Sequence, residues 1–199
     1  VRWIVFDYGE VIGRRPLGFA GLAAMLDAPP EPFEAAYWAF RDAYDRGLPD
    51  LEYWRAIGSR IGADVDAARA AALTDADIEG WLDADPAALA LLDELDDAEV
   101  GLALLSNAAS SHGQAFRQQP WAEHFQHLMI SAELGTAKPD AEVWRLLVQR
   151  LEIAPVDCLF LDDKQVNIDG ARAAGLQAHR WSGATAARRH IARFGLPLR

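Results

Sequence analysis

The chain has one cysteine, Cys158, among 199 residues, so no internal disulfide can staple it. That cysteine sits in the apolar stretch CLFL, where a small buried side chain is expected, and a reducing cytoplasm is the natural compartment. Apolar runs long enough to cross a bilayer, about 20 residues, are missing, and no basic-then-apolar leader precedes the first strand-like segment, so neither a membrane span nor an export signal is expected. Positive charge is scarce. The 19 Lys and Arg face 30 Asp and Glu, a formal net charge of −11, which argues against a nucleic-acid partner because phosphate backbones are held by clustered cations. The one basic cluster, ARRHIARF near the C-terminus, reads as a solvated helix face. The glycine-rich nucleotide loops and the G-x-S-x-G setting of a hydrolase serine are absent too. His124 and His127 form an H-x-x-H without a third ligand at zinc-like spacing, while His112 and His179 stand alone. An acidic chain that takes an anionic substrate needs a local device to overcome its own field: a metal, a lysine or helix N-termini.

With 51% hydrophobic residues the chain can bury a sizeable core. Its opening RWIVFD and the later runs EVGLALLSN, HLMIS, CLFLDD and LQAHRW are short apolar segments separated by amphipathic stretches, a βαβ pattern. Parallel strands need crossovers, so the expected fold is α/β, a doubly wound parallel sheet with RWIVFD as a central strand. Residues 14–85 read as helices only. Phe33, Tyr37, Phe40 and Tyr44, then Trp54, Ile57 and Ile61, recur at spacings of three and four, and Pro29, Pro30, Gly47 to Pro49 and Gly62 punctuate them. This organisation is a helical insertion at 14–85 within a core of 1–13 and 86–199.

In open parallel sheets ligands bind beyond the carboxyl ends of the strands. Asp7, Ser106 with Asn107, and Asp162 with Asp163 all fall at such ends. Neighbouring carboxylates repel unless a cation intervenes, and an oxygen-only donor set suits Mg2+, with Asp7 and Asp163 as the best candidate pair. Lys138, in GTAKPD, can reach over the same crevice and pair with an anion and with Asp7. Asp7 itself is either a metal ligand alone or a nucleophile that takes up a phosphoryl group.

Four segments in order, FDYGEVI, LLSNA, GTAKPDAEVW and FLDDKQVNIDGARAAG, resemble the four motifs of the haloacid dehalogenase (HAD) superfamily over about residues 2–181. The resemblance is to a phosphatase-like branch with an FD-x-G first motif, and residues 14–85 resemble that family's helical cap on a Rossmann-like core. It implies that Asp7 is the nucleophile, forming an aspartyl phosphate that water hydrolyses. Ser106 and Asn107 would hydrogen-bond the transferring phosphoryl group, and Lys138 would neutralise it. Mg2+ would be held by Asp7, Asp163 and the backbone carbonyl of Gly9, with Asp162 beside them and Asn167 where other members carry another acid.

Gly9 departs from that pattern. Phosphatases of the superfamily commonly carry a second aspartate there, which protonates the leaving alcohol, a contribution of about 10² to 10⁴ in rate. Glycine also permits an unusual φ at this place. Three readings follow. The first is a Mg2+-dependent hydrolase of small phosphate monoesters, sugar phosphates among the candidates, in which Glu10, a cap residue or water replaces the acid. The second is a binding or regulatory protein on the same scaffold with weak or no turnover. The third, least favoured, is a 2-haloacid dehalogenase, against which Asp162 and Asp163 stand, since an uncompensated acid pair repels a carboxylate substrate. Arg14, Arg15, Tyr37, Trp38, Arg41 and Trp54 are candidate contacts for the leaving group, though each reads more readily as structural or solvent-facing.

Overall fold

The computed structural model describes residues 1–16 and 18–195. Five parallel strands, β1 (Trp3–Phe6), β2 (Gly101–Ser106), β3 (His127–Ile130), β4 (Cys158–Asp162) and β5 (Gln177–Arg180), form one sheet in the order β3-β2-β1-β4-β5. They are the five apolar runs of the sequence. Four helices, α1 (Ala20–Ala24), α2 (Pro30–Asp45), α3 (Asp50–Ile61) and α4 (Ala67–Trp81), follow β1, and α5 (Pro86–Asp97) then leads into β2. The later crossovers carry α6 (Ser110–Arg117), α7 (Ser131–Leu134), α8 (Ala141–Leu151) and α9 (Gln165–Ala173), and α10 (Ala184–Ile191) follows β5.

Strand residues alternate between two cores because successive side chains point to opposite faces. Ile4, Phe6, Leu102, Leu104, Leu159 and Leu161 pack with Leu91, Leu92 and Leu95 of α5 and Ile191 of α10. Val5, Ala103, Leu105, Cys158 and Phe160 pack with Val143, Trp144 and Leu147 of α8 and Ile168 of α9. Burial on both faces is why the inner strands β1, β2 and β4 read as continuous apolar runs, while the edge strand β5, Gln-Ala-His-Arg, buries only Ala178. The strand order puts β2 and β4 on either side of β1, so the carboxyl ends that carry Asp7, Ser106 and Asp162 are neighbours.

The helices after β1 have a core of their own, built on Phe33, Tyr37 and Tyr44 of α2, Tyr53, Trp54 and Ile57 of α3 and Leu73 of α4, while Phe40 and Ile61 sit at its margin. Pro30 opens α2, left-handed Gly62 closes α3, and Asp66 caps α4 by accepting from the Arg69 N–H at 2.8 Å. The chain leaves and rejoins the sheet side by side: the Arg14 N–H donates to the Asp83 carbonyl at 2.7 Å, and the Asp85 N–H to that of Ile12 at 2.8 Å. Just before this point the N–H groups of Ile12 and Gly13 fold back onto the Tyr8 carbonyl at 2.9 and 2.8 Å. Gly13 is required by packing, since a Cβ there would lie 2.4 Å from the Tyr8 ring. No helix among the described residues is long and apolar enough to cross a membrane.

Candidate active site

Beyond the carboxyl ends of β1, β2 and β4 lies a cavity of about 240 Å³, lined on the sheet side by Asp7, Gly9, Glu10, Ser106, Asn107, Lys138, Lys164 and Asn167. Asp7 continues the β1 ladder, its N–H donating to the Leu161 carbonyl at 2.9 Å, which fixes the side chain at the mouth of the sheet. Its Oδ1 accepts from the Tyr8 N–H at 2.7 Å and from Lys138 Nζ, also at 2.7 Å. Oδ2 of Asp7 makes no hydrogen bond among the described residues, which leaves it the oxygen available for chemistry. Burial pushes the Asp7 carboxyl up to about 7 against the pull of Lys138, and Asp162 and Asp163 add to the rise.

Lys138, buried in the loop before α8, also reaches Asp162 Oδ2 at 2.8 Å. Burial disfavours its charge, but the two carboxylates outweigh that and hold the ammonium above its ordinary value. Asp162, the last residue of β4, is saturated with donors: the Lys164 N–H at 2.7 Å, the Asn167 amide at 2.9 and 3.1 Å, and Lys138. Although it is buried, these donors and Lys138 keep its carboxyl below the usual range. Asp162 therefore orients Lys138, and Asn167 orients Asp162.

Asp163 is different. It is half-buried, its Oδ1 is buried without any partner, and burial together with Asp162 raises its carboxyl. Carboxylate oxygens of Asp7, Asp162 and Asp163 lie within 4.8 Å of one another. Three clustered carboxylates, one of which has an orphaned buried oxygen, are a hard, oxygen-only donor set that fits a divalent cation such as Mg2+.

Ser106 ends β2 with its side chain in the cavity wall. Asn107 is largely committed elsewhere: its Nδ2 donates to the Lys138 carbonyl at 2.8 Å and its Oδ1 accepts the Lys138 N–H at 2.9 Å, so one amide hydrogen remains for a ligand. The two-point clasp sets the loop that presents the lysine. Gly9 corrects an expectation, because its backbone is not left-handed; Glu10 next to it takes the positive φ of 57° and is exposed at the cavity.

The helical side of the cavity is Trp38, Arg41, Asp42, Asp45 and Trp81, with His112 and Phe116 from α6. Of the sequence candidates, Trp38 and Arg41 are here. Trp54 is not: it is fully buried, its Nε1 donating to Thr74 Oγ1 at 2.8 Å, because its spacing with Ile57 places it on the inward face of α3. Tyr37 is likewise buried, its hydroxyl donating to Asp77 Oδ1 at 2.9 Å. Arg14 and Arg15 are exposed and paired with Asp83 at 3.7 Å and Glu34 at 3.4 Å. His124 pairs with Asp93 at 3.1 Å, whereas His127 lies tilted against Trp3 with ring centroids 5.4 Å apart, so the H-x-x-H does not converge. Sequence reasoning missed Lys164, Asp42, Asp45, Trp81 and His112. One signal was countable: the chain has only two lysines, Lys138 and Lys164, and both line this cavity.

Known proteins bear on this arrangement. A phosphoserine phosphatase from Thermus thermophilus is 33% identical over 95 residues, 47% of this chain, and the match spans only 38% of that protein's length. The magnesium complex of the HAD family enzyme bt-2542 from Bacteroides thetaiotaomicron superposes with a TM-score of 0.72 at 20% identity, covering 97% of this chain and 98% of that one. The L-2-haloacid dehalogenase of Xanthobacter autotrophicus, with chloropropionic acid covalently bound, gives 0.69 at 18% identity over 99% of this chain and 84% of its own. At such identities the two structures establish a shared fold and leave the chemistry to the site. Residues 5–175 match the profile of the haloacid dehalogenase-like hydrolases, and with that the chain belongs to this family of hydrolases.

Proposed function

We propose that this protein is a Mg2+-dependent phosphatase acting on small phosphate monoesters, with Asp7 as nucleophile and residues 14–85 as a cap over the core of 1–13 and 86–199. The observation that carries the reading is the asymmetry of the acids: Asp162 is saturated by donors while Asp163 Oδ1 is buried and unpartnered beside Asp7. The phosphatase relative in Thermus thermophilus supports the same chemistry.

Asp7, Asp163 and the Gly9 carbonyl would hold the cation, which when bound neutralises charge on the phosphoryl oxygens and favours ionised Asp7. Tyr8 and Lys138 hold Oδ1 of Asp7, leaving Oδ2 to attack phosphorus. An Oδ2–P bond forms as the P–O bond to the leaving alcohol breaks. Ser106, the free amide hydrogen of Asn107 and Lys138 receive the equatorial oxygens. Water then attacks phosphorus, breaks the acyl phosphate and returns Asp7. The leaving oxygen needs a proton that Gly9 cannot give, and Glu10, exposed at the cavity, is the nearest carboxyl in sequence to take that role.

The missing carboxyl at Gly9 favours a second reading, a ligand-binding protein with little turnover on the same scaffold. The experiment that separates them is a screen of phosphate esters with Mg2+ and with EDTA, against Asp7→Asn as background. Turnover that needs Mg2+ and Asp7 supports the phosphatase. Full activity in EDTA overturns the metal dependence while leaving the phosphatase, and turnover of no ester leaves the binding role or, where a 2-haloacid is hydrolysed instead, the dehalogenase chemistry.

A further inference from the structure

The roof of the cavity holds polar groups that the reaction at Asp7 does not use. His112, in the first turn of α6, is 1% exposed and lines the cavity, yet neither ring nitrogen has a hydrogen-bond partner. Its Nε2 is 3.2 Å from Asp77 Oδ2, but that oxygen is also without a hydrogen bond, so the two are close and not aligned. Tyr44 and Phe116 hold the ring edge-on from two sides, at centroid distances of 6.0 and 6.3 Å. The surrounding charges are already engaged: Arg41 Nε pairs with Asp45 at 2.8 Å, Arg41 approaches Asp77 at 3.7 Å, and Asp77 Oδ1 takes the Tyr37 hydroxyl. A buried imidazole with both nitrogens unsatisfied is unfavourable, and in a cavity wall it is the group that a ligand satisfies.

The rest of the wall limits what that ligand can be. On the helical side Arg41 is spent on Asp45, Asp42 is held by Arg46 at 3.1 Å, and Lys164 lies on the sheet side, so among the described residues lining the helical side of the cavity no cation is left over there to hold a second acidic group on the substrate. A purely apolar group would leave His112 unpaired. A hydroxyl both donates and accepts and so satisfies either tautomer. We propose that His112 hydrogen-bonds a hydroxyl on the leaving-group portion of an otherwise neutral phosphate ester and thereby selects hydroxylated alcohols at this site. The inference rests on the phosphatase reading above.

The test compares glycerol phosphate with propyl phosphate, which have the same number of carbons and differ in hydroxyls, in wild type, His112→Phe and His112→Gln of matched thermal stability. Wild type is expected to favour glycerol phosphate in kcat/KM by about tenfold or more. His112→Phe should lose most of that preference, chiefly through KM, with propyl phosphate changed by less than about threefold, and His112→Gln should recover part of it. Equal losses on both esters would assign His112 to packing and overturn the proposal, as would no loss on either. Should His112→Phe fail to fold, the wild-type comparison still decides, because equal kcat/KM for the two esters overturns the proposal without any variant. Turnover of neither ester beside turnover of an aryl phosphate would overturn the inference and spare the phosphatase reading, whereas turnover of no phosphate ester at all would overturn that reading itself.

Discussion

At Gly9 the question is proton supply. A Cβ built there meets only the Trp81 ring, at 3.7 Å, and the backbone is in a region that any residue adopts, so aspartate can be introduced without strain. Gly9→Asp is expected to raise the rate on alkyl phosphates more than on aryl phosphates, whose leaving groups need no acid, with a ceiling of about 10² to 10⁴. If Glu10 supplies the proton in the natural protein, Glu10→Gln will lose rate on alkyl phosphates selectively; steady-state kinetics on both ester types reads each outcome. Asp7 gives a second expectation. Its folded value of about 7 lies above its unfolded value of 3.8, so the stability it contributes is full below pH 3.8 and is lost as pH rises through 7. His127, His179 and His190, lowered by burial, act in the opposite sense between pH 6 and 8, but they are common to both proteins compared. The stability difference between metal-free wild type and Asp7→Asn should therefore shift against wild type from pH 6 to pH 8, and urea unfolding at the two pH values measures it. The sequence showed that Gly9 lacks a carboxyl; it could not show that the positive φ belongs to Glu10, because φ is set by the turn that closes on the Tyr8 carbonyl.

At the scale of elements, the strands and helices were legible and their cross-connections were not. Apolar runs marked β1 to β4, the flanking Leu176 and Trp181 marked the polar edge strand β5, and spacings of three and four marked the inward faces of α2 and α3, since these patterns are written in single segments. The network of Tyr37, Arg41, Asp45, Asp77 and His112 is drawn from α2, α4 and α6, and nothing local in any of them announces the others. The Asn107 clasp on Lys138 is hidden for the same reason. Its consequence is testable: Asn107→Ala releases the loop that presents the lysine, and turnover should fall by about tenfold or more while the fold persists, as circular dichroism and kinetics will show. The turn after β1 is less forgiving. Tyr8 is pinned by its hydroxyl on the Trp81 carbonyl at 2.6 Å and by Phe116, with ring centroids 4.0 Å apart, so it cannot yield to a methyl group on Gly13. Gly13→Ala should destabilise the protein by about 1–3 kcal/mol, read by urea denaturation.

For the whole molecule, the relevant quantity is how a chain of net charge −11 admits an anion. The cavity answers with Lys138 and Lys164 at the phosphoryl end, and with an acid set that takes up Mg2+ on the proposed reading. Inorganic phosphate with Mg2+ should therefore raise the melting temperature, by about 2.7 kcal/mol of stability at a hundredfold excess over its dissociation constant. Lys138→Ala should abolish that response and, by leaving Asp7 and Asp162 buried without their cation, should cost about 3–5 kcal/mol in its own right. A melting temperature indifferent to phosphate would count against the cradle. The confinement of lysine to this one place has a practical side as well. Lys164 is exposed and Lys138 is buried, so mild reductive methylation with ¹³C-formaldehyde will tag the first and spare the second. The resulting carbon spectrum will carry one side-chain dimethylamine resonance, seated on the rim of the reaction centre. Its shift on titration would follow ligand arrival, with the labelled N-terminal amine as an internal reference.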